Sequence, residues 1–190
     1  MASEIETRRR TARRTLALLA LVCAAPVIAS YVAYYWLHPS TRVNYGELEQ
    51  IPAPEIAGIE DGQPWRLASL HGRWVLLVVS GGPCDASCER ALYATRQART
   101  MQNREQERVV RVLLQPGGIG APSATLLAGH PGLAVATVDP AQWRALPGGG
   151  AGSIYVVDPL GNIVLRYPAD PDIRRLAKDL ERLLKASRIG

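Results

Sequence analysis

The stretch that decides the fold is Trp74 to Cys88, W-V-L-L-V-V-S-G-G-P-C-D-A-S-C. Trp74 to Ser80 is an unbroken apolar run bounded by His71-Gly72 and by Gly81-Gly82-Pro83. Such a run, with no polar alternation, is the pattern of a strand covered on both faces. Beyond the Gly-Gly-Pro turn, Cys88, Ala91, Ala94, Ala98 and Met101 recur at three- and four-residue intervals among arginine and glutamine, which predicts a helix from Cys84 to about Arg108 with a small-residue face. Val109 to Leu114 (VVRVLL) is a second β-rich run. Strand, helix and strand in that order form a parallel βαβ unit, whose first loop lies at the carboxyl end of the first strand.

Farther along, Ser153 to Val157 and Ile163 to Tyr167 flank Asp158-Pro159-Leu160-Gly161-Asn162, a turn signal that predicts a β-hairpin. Ile173, Leu176, Ala177, Leu180, Leu183 and Leu184 then follow helical spacing, with Asp170-Pro171-Asp172 read as a cap and a first-turn proline. The order β-α-β, a variable middle, then β-β-α is that of an α/β, thioredoxin-like fold. The soluble domain is expected over residues 55–190, a single domain on the usual size range.

The chain ahead of this domain has a different composition. Residues 1–14 hold Arg8, Arg9, Arg10, Arg13 and Arg14 against Glu4 and Glu6, so most of the net charge of +5 is a short basic tail. A charge confined to a tail argues against a nucleic-acid surface, which would spread it over one face. Residues 15–37 (TLALLALVCAAPVIASYVAYYWL) carry no charge and as a helix would extend roughly 34 Å, enough to cross a bilayer. The aromatic group Tyr31, Tyr34, Tyr35 and Trp36 falls at the far end, where amphipathic rings favour the interface. A single transmembrane helix is expected, with the basic tail in the cytoplasm by the positive-inside rule. A cleavable signal peptide is the competing reading, although its apolar region is shorter, about 7 to 15 residues. Residues 38–54, with Pro39, Pro52 and Pro54, read as an extended linker. Cys23 is expected to face lipid or another helix.

The chemistry of the domain concentrates at Cys84-Asp85-Ala86-Ser87-Cys88. If helical, cysteines at i and i+4 share a face at roughly 6 Å between Cα atoms, inside the range a disulfide accepts. A helix N-terminus favours negative charge, which makes Cys84 the expected nucleophile or metal-binding thiolate. Two soft thiolates also suit Cu(I). An inert structural bridge is the alternative.

With its N-terminal anchor, its buried strand running into C-x-x-x-C and its Tyr155-Val156-Val157-Asp158-Pro159-Leu160-Gly161 segment, the chain resembles the Sco/SenC family, membrane-anchored thioredoxin-like proteins that help assemble the copper centre of cytochrome c oxidase. The resemblance implies Cys84 and Cys88 as redox-active residues and Cu(I) ligands, the copper-binding subunit of the oxidase or another thiol client as partner, thiol-disulfide oxidoreductase activity, and a bacterial inner membrane with the domain in the periplasm. Two departures stand out. Asp85 and Glu89 occupy the places where the family has a proline after each cysteine, and Gly150 stands where the family has its histidine ligand, so that histidine at Gly150 is expected to improve Cu(II) retention. His130 reads as a solvated loop residue, with approach to the cysteine loop as a metal ligand the alternative; His71 is expected at the opposite end of the strand and His38 at the membrane exit. The proline that thioredoxin-like reductases place directly before the late strand is also missing, Pro147 lying well ahead of Ser153. Gly117 to Gly120 and Gly148 to Gly152 match no phosphate-binding loop. Arg90, Arg96, Arg99, Arg104 and Arg108 read as the solvated face of the first helix. Two other functions fit the same residues: a membrane-tethered thiol-disulfide oxidoreductase with a different client, and a thioredoxin-like module that binds a partner without chemistry.

Overall fold

The computed structural model describes residues 2–36 and 44–187 and divides into two units, 1–43 and 44–190. The first is the helix α1 (Ala2–Trp36), within which Arg13–Tyr35 has a mean hydropathy of 2.3 and is long and apolar enough to cross a membrane. Cys23 is free and exposed on it. His38 and most of the residues read as the start of the linker lie outside the described residues.

The second unit is an eight-stranded sheet with helices on it. Its strands are β1 (Glu47–Pro52), β2 (Ala57–Glu60), β3 (Gln63–Arg66), β4 (Trp74–Val79), β5 (Val109–Pro116), β6 (Leu133–Val138), β7 (Ser153–Val157) and β8 (Asn162–Pro168), in the spatial order β1-β8-β7-β4-β5-β6-β2-β3. Its helices are α2 (Ala86–Thr100), α3 (Ala124–Gly129), α4 (Pro140–Trp143) and α5 (Ile173–Ala186). β4 pairs in parallel with β5 and antiparallel with β7, and β7 turns back into β8. The expected βαβ unit and ββα unit are therefore joined edge to edge through β4 and β7, as in the thioredoxin fold.

All six residues of β4 are buried because both faces of the sheet are covered. On one face Trp74, Leu76 and Val78 pack with Ile154, Val156, Leu165 and Tyr167 beneath α2 and α5. On the other, Val75, Leu77 and Val79 pack with Tyr155, Val157, Trp65, Trp143 and Leu146. Each such leucine or valine contributes about 1.5–3 kcal/mol of burial. α5 adds Leu176, Leu180 and Leu184, one face at four-residue spacing.

Besides the start of α2, three boundaries differ from the sequence reading. Residues 47–52, placed in the linker, form β1, which pairs antiparallel with β8. The strand is held there by Asp179 of α5, 2% exposed, whose Oδ2 accepts from the Tyr45 N–H at 2.8 Å, the Gly46 N–H at 3.0 Å and the Tyr167 hydroxyl at 3.1 Å. α2 ends at Thr100 rather than near Arg108, since Asn103 takes φ +53° and a 3-10 turn follows, and Met101 is exposed instead of lying on the small-residue face. The cap of α5 is Asp172, accepting from the Arg175 N–H, so Pro171 precedes the cap and is not in the first turn.

Candidate redox site

β4 delivers the chain into the Ser80–Pro83 turn, which is shaped by the Ser80 hydroxyl donating to the Gly82 carbonyl at 2.7 Å. Cys84 and Cys88 follow and are disulfide-bonded, with Cα atoms 5.1 Å apart. The sequence reading put both cysteines in the helix; the structure starts α2 at Ala86, with Asp85 as its cap. The Asp85 carboxylate accepts from the Ser87 N–H at 3.0 Å and the Cys88 N–H at 2.9 Å. Cys84 thus sits outside the first turn, and a carboxylate already occupies two of the donors that would favour its thiolate. The absence of proline after Cys84 has this structural consequence: the position serves as a helix cap.

The two cysteines differ in burial. Cys88 is 7% exposed and belongs to the core under α2, whereas Cys84 is half-buried and packs on the edge of that core. Cys84 is thus the more exposed residue of the pair. A cleft of about 630 Å³ opens beside the pair, lined by Ser80 to Pro83, Asp85, Ser87 and Cys88 on one side and Ala151, Gly152 and Ser153 on the other. The two walls are tied by the Gly152 N–H donating to the Val79 carbonyl at 2.9 Å.

No histidine lines this cleft, and among the described residues no group of three or more His, Cys, Asp or Glu is placed to hold a metal. Gly150 does lie on the wall loop, yet it has φ +81° and a Cβ there would meet the Trp143 carbonyl oxygen at 2.6 Å. A histidine at that position is strained by backbone conformation and by contact, which argues against the expectation that it would restore a ligand. Ala151, next along, is the residue that faces Gly81 across the cleft.

His130 is not a solvated loop residue. It follows α3, is 8% exposed, and its Nδ1 has no hydrogen-bond partner. Burial and the neighbouring Arg111 and Arg96 hold its pKa below the ordinary value, against a smaller opposite effect of Glu89. His71 is exposed and lies against Gly161 at the other end of β4, as expected. Of the arginines read as a solvated face, Arg104 is exposed as expected, Arg108 falls in the 3-10 turn beyond α2, and four of the five engage neighbouring groups. Arg90 pairs with Asp170, Arg96 donates to the Gly129 carbonyl, Arg99 to Val109, and Arg108 to Leu184 and Ser187. Arg111, inside the β5 run, escaped the sequence reading although one charge within an apolar strand is a visible anomaly.

Residues 74–187 match the model of the family described as transmembrane-like, thioredoxin-like, C-terminal domain. Among solved structures, the chain is similar to apo Sco1 from Thermus thermophilus (22% identity, TM-score 0.58, covering 77% of this chain and 98% of that one). It is also similar to copper-bound ScoI from Bradyrhizobium japonicum (19%, TM-score 0.53, 70% and 98%). A third is BsSco, of the Sco family of cytochrome c oxidase assembly proteins, in which a disulfide switch was identified (14%, TM-score 0.59, 75% and 96%). No curated protein matches the sequence. The fold is that shared by the Sco structures, and the chain belongs to the family of transmembrane-like, thioredoxin-like C-terminal domains.

Proposed function

We propose that this protein is a membrane-anchored assembly factor of the Sco/SenC kind, acting on cytochrome c oxidase by thiol-disulfide exchange at Cys84 and Cys88 and carrying Cu(I) on the same pair when reduced. The observation that carries the reading is the Cys84–Cys88 bond at the carboxyl end of β4, with Cys84 the more exposed residue, Cys88 buried, and a cleft beside them. In the reducing direction the Cys84 thiolate attacks a client disulfide, forming a mixed disulfide and releasing one client thiolate. The Cys88 thiolate then attacks the Cys84 sulfur, closing the intramolecular bond and releasing the second client thiolate. The client gains two electrons, and two protons pass from the protein's thiols to the client's.

The donor set fits Cu(I) and not Cu(II). Two thiolates satisfy a soft ion that tolerates low coordination, while no imidazole lines the cleft to hold the divalent ion. Cu(I) binding and the disulfide are mutually exclusive uses of the same sulfurs, so redox state gates the metal. The missing nitrogen donor weights the redox role at least as highly as copper transfer. The arginines ahead of the apolar part of α1 support a cytoplasmic N-terminus and a periplasmic domain in a bacterial inner membrane.

A trapping experiment tests the reading. With Cys88→Ser the mixed disulfide on Cys84 cannot resolve, so a membrane extract should yield an oxidase copper-subunit adduct that dithiothreitol releases and that Cys84→Ser lacks. Trapping of some other protein would favour the oxidoreductase with a different client, and absence of any adduct on Cys84 would favour a partner-binding module without chemistry.

A further inference from the structure

Arg111 points from the middle of β5 to the face covered by α2, and is 2% exposed. Its Nη2 donates to the Pro131 carbonyl at 2.7 Å, while its Nη1 has no partner. The groups around it carry the same sign. Arg96 and Arg99 of α2 act on it, and His130, with its own unpartnered Nδ1, lies beside Arg111 and Arg96. Among the described residues no carboxylate pairs with Arg96, Arg99 or Arg111; Glu89, exposed on α2, acts on His130 through its field.

A buried guanidinium without a counter-charge is costly, by several kcal/mol, and a water molecule supplies hydrogen bonds but no neutralising charge. Burial, Arg99 and Arg96 push the Arg111 pKa down to about 10, which still leaves it cationic at neutral pH. Arg96 and Arg111 are held by a single loop. The Gly129 carbonyl holds Arg96 and the Pro131 carbonyl holds Arg111, the carbonyls of the residues before and after His130. Arg96 and Arg99 are half-buried, and through them the cluster reaches the surface. We infer that Arg96, Arg111 and His130, assisted by Arg99, form a binding site for a small oxyanion of the phosphate class, separate from the cysteine cleft. The anion would accept from Arg111 Nη1, from free N–H groups of Arg96 and from His130 Nδ1 in its protonated tautomer.

The test uses the full chain in non-ionic detergent and inorganic phosphate as probe, titrated at constant ionic strength with chloride as balance. Phosphate should raise the unfolding temperature saturably and shift the His130 ring resonances with the same dissociation constant. Arg111→Met should abolish both effects, and Arg96→Gln should weaken binding at least tenfold, about 1.4 kcal/mol. If Arg111→Met does not fold, Arg96→Gln alone decides. Stabilisation by phosphate no greater than by chloride would overturn the inference, as would binding unchanged in Arg96→Gln or Arg111→Met. Because the readouts involve neither cysteine, failure here leaves the redox reading standing.

Discussion

Replacing Asp179 by alanine should release the strand at the start of the domain. The carboxylate is 2% exposed and its Oδ2 gathers two backbone N–H groups and one phenol at 2.8–3.1 Å. Burial and this carboxylate also push the Tyr167 phenol above its ordinary pKa, so the hydroxyl remains a donor. Hydrogen bonds to a charged acceptor contribute about 1.5–3 kcal/mol each, and every donor left buried without a partner costs about 1–3 kcal/mol. Water entering the space of the lost carboxylate would relieve part of this, which leaves a net loss of about 3–5 kcal/mol. That is a large fraction of the roughly 5–15 kcal/mol typical of a domain. Asn should cost less, since one oxygen remains as an acceptor while its amide turns donors toward donors. Urea unfolding followed by the fluorescence of Trp65, Trp74 and Trp143, together with amide exchange at Tyr45 and Gly46, gives both the global and the local effect. A loss below about 1 kcal/mol with both amides still protected would refute the reasoning, because the strand would then be held by something other than Asp179.

In the reduced protein, alkylation should modify Cys84 before the more buried Cys88; equal rates measured by peptide mass would contradict the burial difference. Gly150→His should lower stability and create no Cu(II) absorption, because φ +81° and the Trp143 carbonyl oppose any side chain there; a stable thiolate-to-Cu(II) band would show that the loop can rearrange. The lowered His130 pKa has a definite sign. Below pH 6.5 the unfolded chain takes up the proton before the folded one, so stability present above that pH should fall as the pH drops toward the folded value, and His130→Gln should flatten this slope in urea titrations without added phosphate.

What was legible in the sequence had a local cause. The six consecutive buried residues of β4, the Asp-Pro-Leu-Gly-Asn turn and the four-residue stripe of α5 each carry their own periodicity or turn chemistry, and the cysteine pair follows directly from the strand that presents it. Of the missed features, β1 and the meeting of Arg96 with His130 depend on partners far away in the chain, whereas the β2–β3 hairpin and the Asp85 cap are local. β1 has burial on one residue alone and exists through β8 and Asp179; β2 and β3 lie at the far edge, joined to the sheet by β6. Asp85 reads in sequence as a substituted proline, and only the start of α2 turns it into a cap on two N–H groups. Arg96 and His130, 34 residues apart in sequence, meet only when α2 packs on β5 and the loop after α3 closes over them, so the solvated readings of both fail together.

The central claim is that Cys84 and Cys88 are one reversible redox pair that holds Cu(I) only when open. An anaerobic competition titration of Cu(I) against a chromophoric chelator, run on the reduced and on the disulfide form of the full chain, tests it most directly. The account predicts one tightly held Cu(I) per reduced chain, none on the oxidised chain, and loss of binding in either Cys84→Ser or Cys88→Ser. Equal binding by the oxidised form, or by the two serine variants, would contradict it.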